Sequence, residues 1–452
     1  MKRFWLVLLV LGLIVAFSST AMAVDVKFSG EFYAGGMYLD KTNLTKSTTG
    51  GNPSTAFYYQ RLRVRTDFTI TPGLKLITRL DAMERAWGAA RSAPGVALAA
   101  DSAGTVAENE NIAIDWAYID YKSPIGTFLV GYMNYGTTGT VFGNNQAAQP
   151  RIRFNRMFGP INVWASISKV QENSKTAINP VPPATADADN DVYHLEGVYN
   201  WKSGRAGLNI NYYNYAANRT NVANPYRRNY FLFTPYVIAK FGPVNVQAEL
   251  NYAGLGKDKY EAPSTREDRD IDSWSGWIDA TANFGMFYAG GSIAYVQGDV
   301  DSNDNQINNI LNGGRDWNPC LIMFNYYDRA KWAGNITGYG TSTDNGQMAN
   351  AWFFQLRGGV KPVEKLDVMA SVSYAFADKK PWNTAGAPAT EYLNNDYGWE
   401  VDLTATYKIT NNLSYMVGAG YLFTGKYYQA NVAGNNELTD NFLVINKLTL
   451  TF

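Results

Sequence analysis

The sequence predicts an all-β fold: one antiparallel, up-and-down β-barrel that crosses a membrane with about 18 strands. Three observations predict it. Apolar and polar residues alternate over segments of about 10 residues, as barrel staves require. Short Gly-, Pro- and Asn-containing turns alternate with long polar connections. After residue 23 no apolar run reaches the roughly 18 residues that a membrane helix needs.

The chain opens on Lys2 and Arg3, continues as an apolar run from Phe4 to Phe17 broken by Gly12, and reaches Ala21-Met22-Ala23. A basic start, an apolar stretch and a small-x-small site predict a secretory signal peptide over 1–23 and a single mature domain over 24–452. Val24 stands where a lipoprotein would need Cys. Cys320 is the only cysteine, so no internal disulfide forms, and it reads as a buried thiol in a long loop. His194 is the only histidine, which excludes a His-rich metal site and any catalysis that needs two histidines. The 39 Lys+Arg balance the 39 Asp+Glu, so no basic excess points to nucleic acid.

Val244-Asn245-Val246-Gln247-Ala248-Glu249-Leu250-Asn251-Tyr252 shows the alternation most clearly, and Trp399 to Ile409 repeats it. Each strand therefore meets an apolar medium on one face and water on the other. A soluble sandwich also alternates, but here the apolar faces carry aromatics near their ends: Trp352 and Phe354, Tyr374 and Phe376, Trp399 and Tyr407, Tyr421 and Phe423. Such girdles mark the two membrane interfaces.

Short turns fall at Thr71-Pro72-Gly73, Ser123-Pro124-Ile125-Gly126, Gly159-Pro160, Ser203-Gly204-Arg205, Gly242-Pro243, Asn283-Phe284-Gly285, Pro362-Val363-Glu364-Lys365 and Thr410-Asn411-Asn412. Between them lie long stretches such as 41–55, 86–109, 173–190, 256–271, 298–350, 379–395 and 426–440. These turns separate nine hairpins and give 18 strands, with 16 as the alternative. Gly290-Gly291 and Gly358-Gly359 sit within strands, form no phosphate loop, and read as sites of curvature or close packing.

The last strand ends in Phe452, with Leu450, Leu448, Val444 and Phe442 on its face and Thr451, Thr449 and Lys447 on the other. This ending resembles the recognition strand of the bacterial outer-membrane barrel superfamily. The resemblance implies an outer-membrane location, lipid contact, and recognition of the Phe452 strand by the outer-membrane assembly machinery. The terminal strand is expected to close onto Val24-Asp25-Val26-Lys27-Phe28.

Alternation turns Arg61, Arg63 and Arg65 inward on the second strand, Arg79 on the third, and Arg151 and Arg153 on the sixth. With the turn centred on Pro72, Arg65 falls opposite Arg79 and Arg63 opposite Asp81. Acidic residues on expected inward faces are Asp67, Asp81, Asp115, Glu249, Glu400 and Asp402, with Glu196 and Asp279. This arrangement resembles the basic ladder of general porins. The resemblance implies a passive diffusion channel for small hydrophilic solutes or ions, without cofactor, and admits a homotrimer. Alginate-export-type channels are similar in expected strand number. In resembling porins the third long loop narrows the lumen, which makes Gly136 to Pro150 the constriction candidate. That stretch is uncharged, a departure from the general-porin pattern that weakens the case for strong charge selectivity. The 298–350 connection carries Cys320-Leu321-Ile322-Met323-Phe324, too apolar for open water, and reads as a partial plug or an extra hairpin.

Other classes fit less well. The acidic runs 187–191 and 299–304 lack the Gly and Glu of an EF-hand loop and read as solvated loops. Barrel enzymes of the outer membrane use a catalytic His, and His194 sits in the expected lumen wall beside Glu196, so no enzyme is expected. The alternatives are a surface adhesin or receptor, and a barrel that sheathes a partner such as a cytochrome. The chain itself has no CxxCH haem motif.

Overall fold

The computed structural model describes residues 24–46, 54–88, 112–135, 139–145, 147–173, 187–221, 223–299, 304–383, 390–431 and 437–452. The segment 1–23, most of 86–109 and the middle of 173–190 lie outside the described residues.

The wall begins with β1 (Asp25–Leu39), β2 (Thr55–Thr71), β3 (Leu74–Ala86), β4 (Ile112–Ser123), β5 (Gly126–Tyr135) and β6 (Ala147–Phe158). It continues with β7 (Ile161–Gln171), β8 (Asn190–Trp201), β9 (Gly204–Tyr215), β10 (Tyr226–Phe241), β11 (Val244–Tyr260) and β12 (Arg269–Phe284). It ends with β13 (Phe287–Val296), β14 (Ala351–Val363), β15 (Leu366–Phe376), β16 (Asp396–Lys408), β17 (Leu413–Thr424) and β18 (Asn441–Thr451). Each pairs antiparallel with its sequence neighbour, and β18 pairs with β1, so the sheet closes. A two-residue strand, Gln306–Ile307, adds parallel to β12 on the loop side. Closure leaves no open edge in lipid, where an unpaired backbone group is costly.

The short turns form for local reasons. Gly159 and Gly242 hold φ of +59° and +58° ahead of Pro160 and Pro243. A positive φ followed by the fixed negative φ of proline is the pattern of a type II′ hairpin turn. Gly359 has a different reason: a Cβ there would lie 2.2 Å from the ring of Tyr288, so the glycine admits that ring.

Three boundaries differ from the sequence expectation. β18 closes onto Glu31–Leu39, with Glu31 opposite Thr451, and not onto 24–28, of which 25–28 pair with β2 alone. A closed barrel staggers its strands around the axis, so the seam is displaced along β1. β11 runs to Tyr260 because the ladder resumes at Gly256↔Ile271 after an irregularity at 253–256. β6 starts at Ala147, because residues 147–150 pair with the far end of β5 despite Pro150.

The outer face is apolar, with Ile114, Ile152 and Leu356 among its most exposed side chains. At the loop end Tyr252 stacks on Trp274 at 4.2 Å, Tyr295 meets Trp352 at 4.4 Å and Tyr374 stacks on Trp399 at 4.5 Å. Phe158, Phe241, Phe284, Phe287 and Tyr407 form the girdle at the turn end. The core lies inside the barrel. Ile322, Met323, Phe324, Trp332 and Met348 of the long connection pack with inward Tyr59 and Phe353 of the wall.

Candidate functional site

β2, β3 and β4 build a basic wall. The tight turn at 72–73, with an irregularity between Thr69 and Thr71, sets the register so that Arg63 faces Asp81 and Arg65 faces Arg79, as the sequence spacing predicts. Arg63 donates from Nε and Nη2 to the two oxygens of Asp81, both at 2.6 Å. Arg65 Nε lies 2.7 Å from Asp67, and Arg61 Nη2 lies 3.0 Å from Glu31 with Glu84 at 3.5 Å. In β4 the register passes from Arg79↔Trp116 to Leu80↔Ile114, which leaves Asp115 as a bulge. Both bulge neighbours therefore reach one guanidinium: Asp115 is 3.0 Å from Arg79 Nη2, and the Trp116 ring lies 3.6 Å below it.

These guanidinium groups border a cavity of about 450 Å³. Its lining includes Arg61, Arg63, Arg65, Arg79 and Lys447 against the acids Glu31 and Asp328. Asp67, Asp81 and Asp115 sit among the arginines and hold them in place. Sequence reasoning put Lys447 and Thr449 on the non-lipid face of the last strand without naming them as lining, and it missed Tyr33. Tyr327 and Asp328 come from the long connection, which carries no period to reveal them.

Arg151 and Arg153 face inward on β6. Arg151 Nε donates to Ser168 Oγ at 2.7 Å, and the Arg153 guanidinium lies 3.2 Å from the centre of the Trp164 ring. His194 faces inward on β8, 3.8 Å from Glu196, which accepts a hydrogen bond from Tyr236 at 2.8 Å.

The third long connection folds into the lumen. Thr140 donates to Glu249 Oε2 from both its backbone N–H and its hydroxyl, each at 2.8 Å. Phe142 is fully buried against Trp277 and Trp317, and Gly143 N–H donates to Gly313 C=O at 2.9 Å. The loop needs no charge of its own, because Glu249 of the wall supplies the anchor.

The 304–350 stretch is a plug. Ile322 and Met323 N–H donate to the two oxygens of Glu400 at 2.6 and 2.7 Å, and Leu321 N–H approaches Asp402 at 3.4 Å. Arg329 is buried and ties the plug to itself through Asp344 at 3.0 Å and Ile322 C=O at 2.7 Å. A short hairpin, Ile336–Thr337 with Thr343–Asp344, forms within it. Glu249, Glu400 and Asp402 thus face inward, as their parity requires, but loops cover them and they do not border the open passage. Cys320 Sγ and the carboxylates of Glu400 and Asp402 lie within 4.8 Å of one another, yet the plug's N–H groups already occupy both Glu400 oxygens. On the outer acidic loop, Lys169 takes Asp189 at 2.9 Å and Asp191 at 2.8 Å. Residues 300–303 of the other acidic run lie outside the described residues.

A closed barrel with a lipid-facing outside and a polar, partly occluded lumen defines an outer-membrane channel. A family model described as Gram-negative porin matches residues 10–345, and the chain belongs to that family. It is an outer-membrane channel for small solutes. No curated protein sequence matches the chain. Among solved structures, OccK8 (OprE) of Pseudomonas aeruginosa is similar with a TM-score of 0.50 and 12% identity, over 95% of this chain and 98% of that one. The outer-membrane channel DcaP of Acinetobacter baumannii gives 0.45 and 11%, over 96% and 99%. OmpT of Vibrio cholerae, in a trimer form, gives 0.41 and 11%, over 95% and 100%.

Proposed function

We propose that this porin passes small hydrophilic solutes with a preference for anions over cations. One observation carries the reading: Arg61, Arg63, Arg65, Arg79 and Lys447 outnumber Glu31 and Asp328 around the 450 Å³ cavity. Cations that line a passage raise the local concentration of anions, and the partner acids Asp67, Asp81 and Asp115 are not part of the lining. Guanidinium forks also match carboxylates and phosphates in shape. The plug closes one side of the lumen and leaves this wall as the lined space, so solutes meet the arginines.

The test is the reversal potential of the purified channel in a planar bilayer under a KCl gradient. The native channel is expected to favour chloride. Replacing Arg61, Arg63 and Arg65 together by Ala is expected to move the preference toward potassium. An unchanged reversal potential in the triple variant reduces the ladder to wall packing.

A further inference from the structure

Most inward arginines of the wall are matched to a carboxylate. Arg63 gives its Nε and Nη2 to Asp81, Arg228 gives the same pair to Asp258, and Arg357 lies 2.7 Å from Asp279. Arg153 differs. It is 9% exposed, no carboxylate among the described residues forms an ion pair with it, and its Nε and Nη2 are buried without a hydrogen-bond partner. These are the two atoms that Arg63 offers to Asp81.

The feature extends beyond one side chain. Arg153 of β6 stands opposite Ser166 of β7, Ser166 opposite His194 of β8, and His194 opposite Asn211 of β9. In this single lateral row Ser166 Oγ, both His194 ring nitrogens and Asn211 Oδ1 are likewise buried without a partner. His194 and Asn211 line a cavity of about 70 Å³ together with Arg151, Asn144 and Glu249. Glu196 acts on Arg153 through space but makes no hydrogen bond to it, accepting from Tyr236 instead, and Glu249 accepts from Thr140. Buried polar groups are ordinarily paired, and a buried cation needs a counter-charge. The unpaired donors of this row are the Arg153 fork, the Ser166 hydroxyl and one His194 nitrogen, while Asn211 Oδ1 is an acceptor whose amide N–H already goes to Asn209. Donors left unpaired beside an aromatic-seated guanidinium have the chemistry of an anion receptor.

We propose that Arg153, seated on Trp164 and flanked by Ser166 and His194, is an anion subsite in the lumen wall that takes one small oxyanion, either a carboxylate or an inorganic phosphate. Its side-on fork receives two oxygens, and the Ser166 hydroxyl donates to one of them. The site is separate from the β2–β3 ladder: selectivity can fail to depend on Arg61, Arg63 and Arg65 while the subsite binds, and the reverse.

The experiment is block of chloride current through single channels of the full-length protein at constant ionic strength, titrated with sodium acetate in one arm and sodium phosphate in the other. A saturable block by either is expected, and the arm that saturates first names the source. Arg153→Gln should raise the half-blocking concentration about tenfold or more, the loss of a charge-assisted bidentate contact. Arg153→Lys keeps the charge but loses the fork and should fall between. Arg156→Gln, exposed on the same strand, serves as the control and should leave the block unchanged. Assembly of each variant is checked by its heat-modifiable gel mobility. If Arg153→Gln does not assemble, Ser166→Ala carries the test, with an expected rise of about threefold. A block that never saturates, or half-blocking concentrations unmoved in the assembled Arg153 or Ser166 variants, overturns the proposal.

Discussion

Arg63 faces Asp81 across β2 and β3 and donates two hydrogen bonds of 2.6 Å to it, a side-on fork in which the Asp81 side chain is 4% exposed. Removing one partner strands the other in the wall. Arg63→Ala is therefore expected to destabilise the barrel by about 3 kcal/mol, and the double replacement of Arg63 and Asp81 by Ala to cost less than the single one. Urea unfolding of the barrel in lipid vesicles, followed by tryptophan fluorescence, gives both numbers. A double variant weaker than Arg63→Ala contradicts the pairing argument.

The plug hangs on Glu400, whose two oxygens accept the N–H groups of Ile322 and Met323. Glu400→Gln replaces one acceptor by a donor and leaves one N–H unmatched, a cost of about 1–3 kcal/mol. The plug should loosen, and single-channel records should show larger or flickering steps. Steps identical to the native ones would mean that Arg329 and the Tyr59–Trp332 stack hold it unaided.

Gly139 holds φ of +81°, and a Cβ there would come 2.6 Å from Glu249 Oε2. Gly139→Ala is thus expected to strain the anchor at Thr140 by about 1–2 kcal/mol through its backbone alone. The loop 139–145 should withdraw and conductance should rise, whereas a native conductance would show that Phe142 packing suffices.

Burial and the neighbouring carboxylates push the Cys320 thiol up from its usual range. The thiolate is the reactive form, so a raised pKa keeps the group protonated and unreactive at neutral pH, with reaction deferred to more alkaline conditions. A maleimide should leave the folded channel unlabelled at pH 7.5 and label it at once in denaturant. Glu400→Gln should speed labelling of the folded form as the plug loosens. Rapid labelling of the native channel would place Cys320 at the surface.

Local rules made the wall legible. The period-two pattern and the turn residues give the strand order, and a turn centred on Pro72 places Arg63 opposite Asp81. That register needs an irregularity between Thr69 and Thr71, which moves the pairing one residue from where the two-residue turn alone would set it. The pattern and the turns do not say which loops enter the lumen. Thr140 finds Glu249 across 109 residues and Ile322 finds Glu400 across 78, and no periodicity encodes such meetings. Asp115 marks the other limit. Alternation puts it and Trp116 on opposite faces, but the bulge brings both to Arg79. The sequence placed Arg153 and His194 on the inward wall, but their row with Ser166 and Asn211 escaped, because its members look like ordinary polar wall residues until burial and partners are known.

The lumen is narrowed by two connections that pair with the eighteen long strands only where Gln306–Ile307 lies beside β12. Aperture and staves are therefore inherited separately. Substitutions in 139–145 or in the plug can widen, narrow or re-aim the passage while the hairpins that must assemble in the membrane stay as they are. A lineage of such channels can diversify what it admits without revisiting how it folds, and an engineer can do the same by exchanging the stopper and keeping the cask.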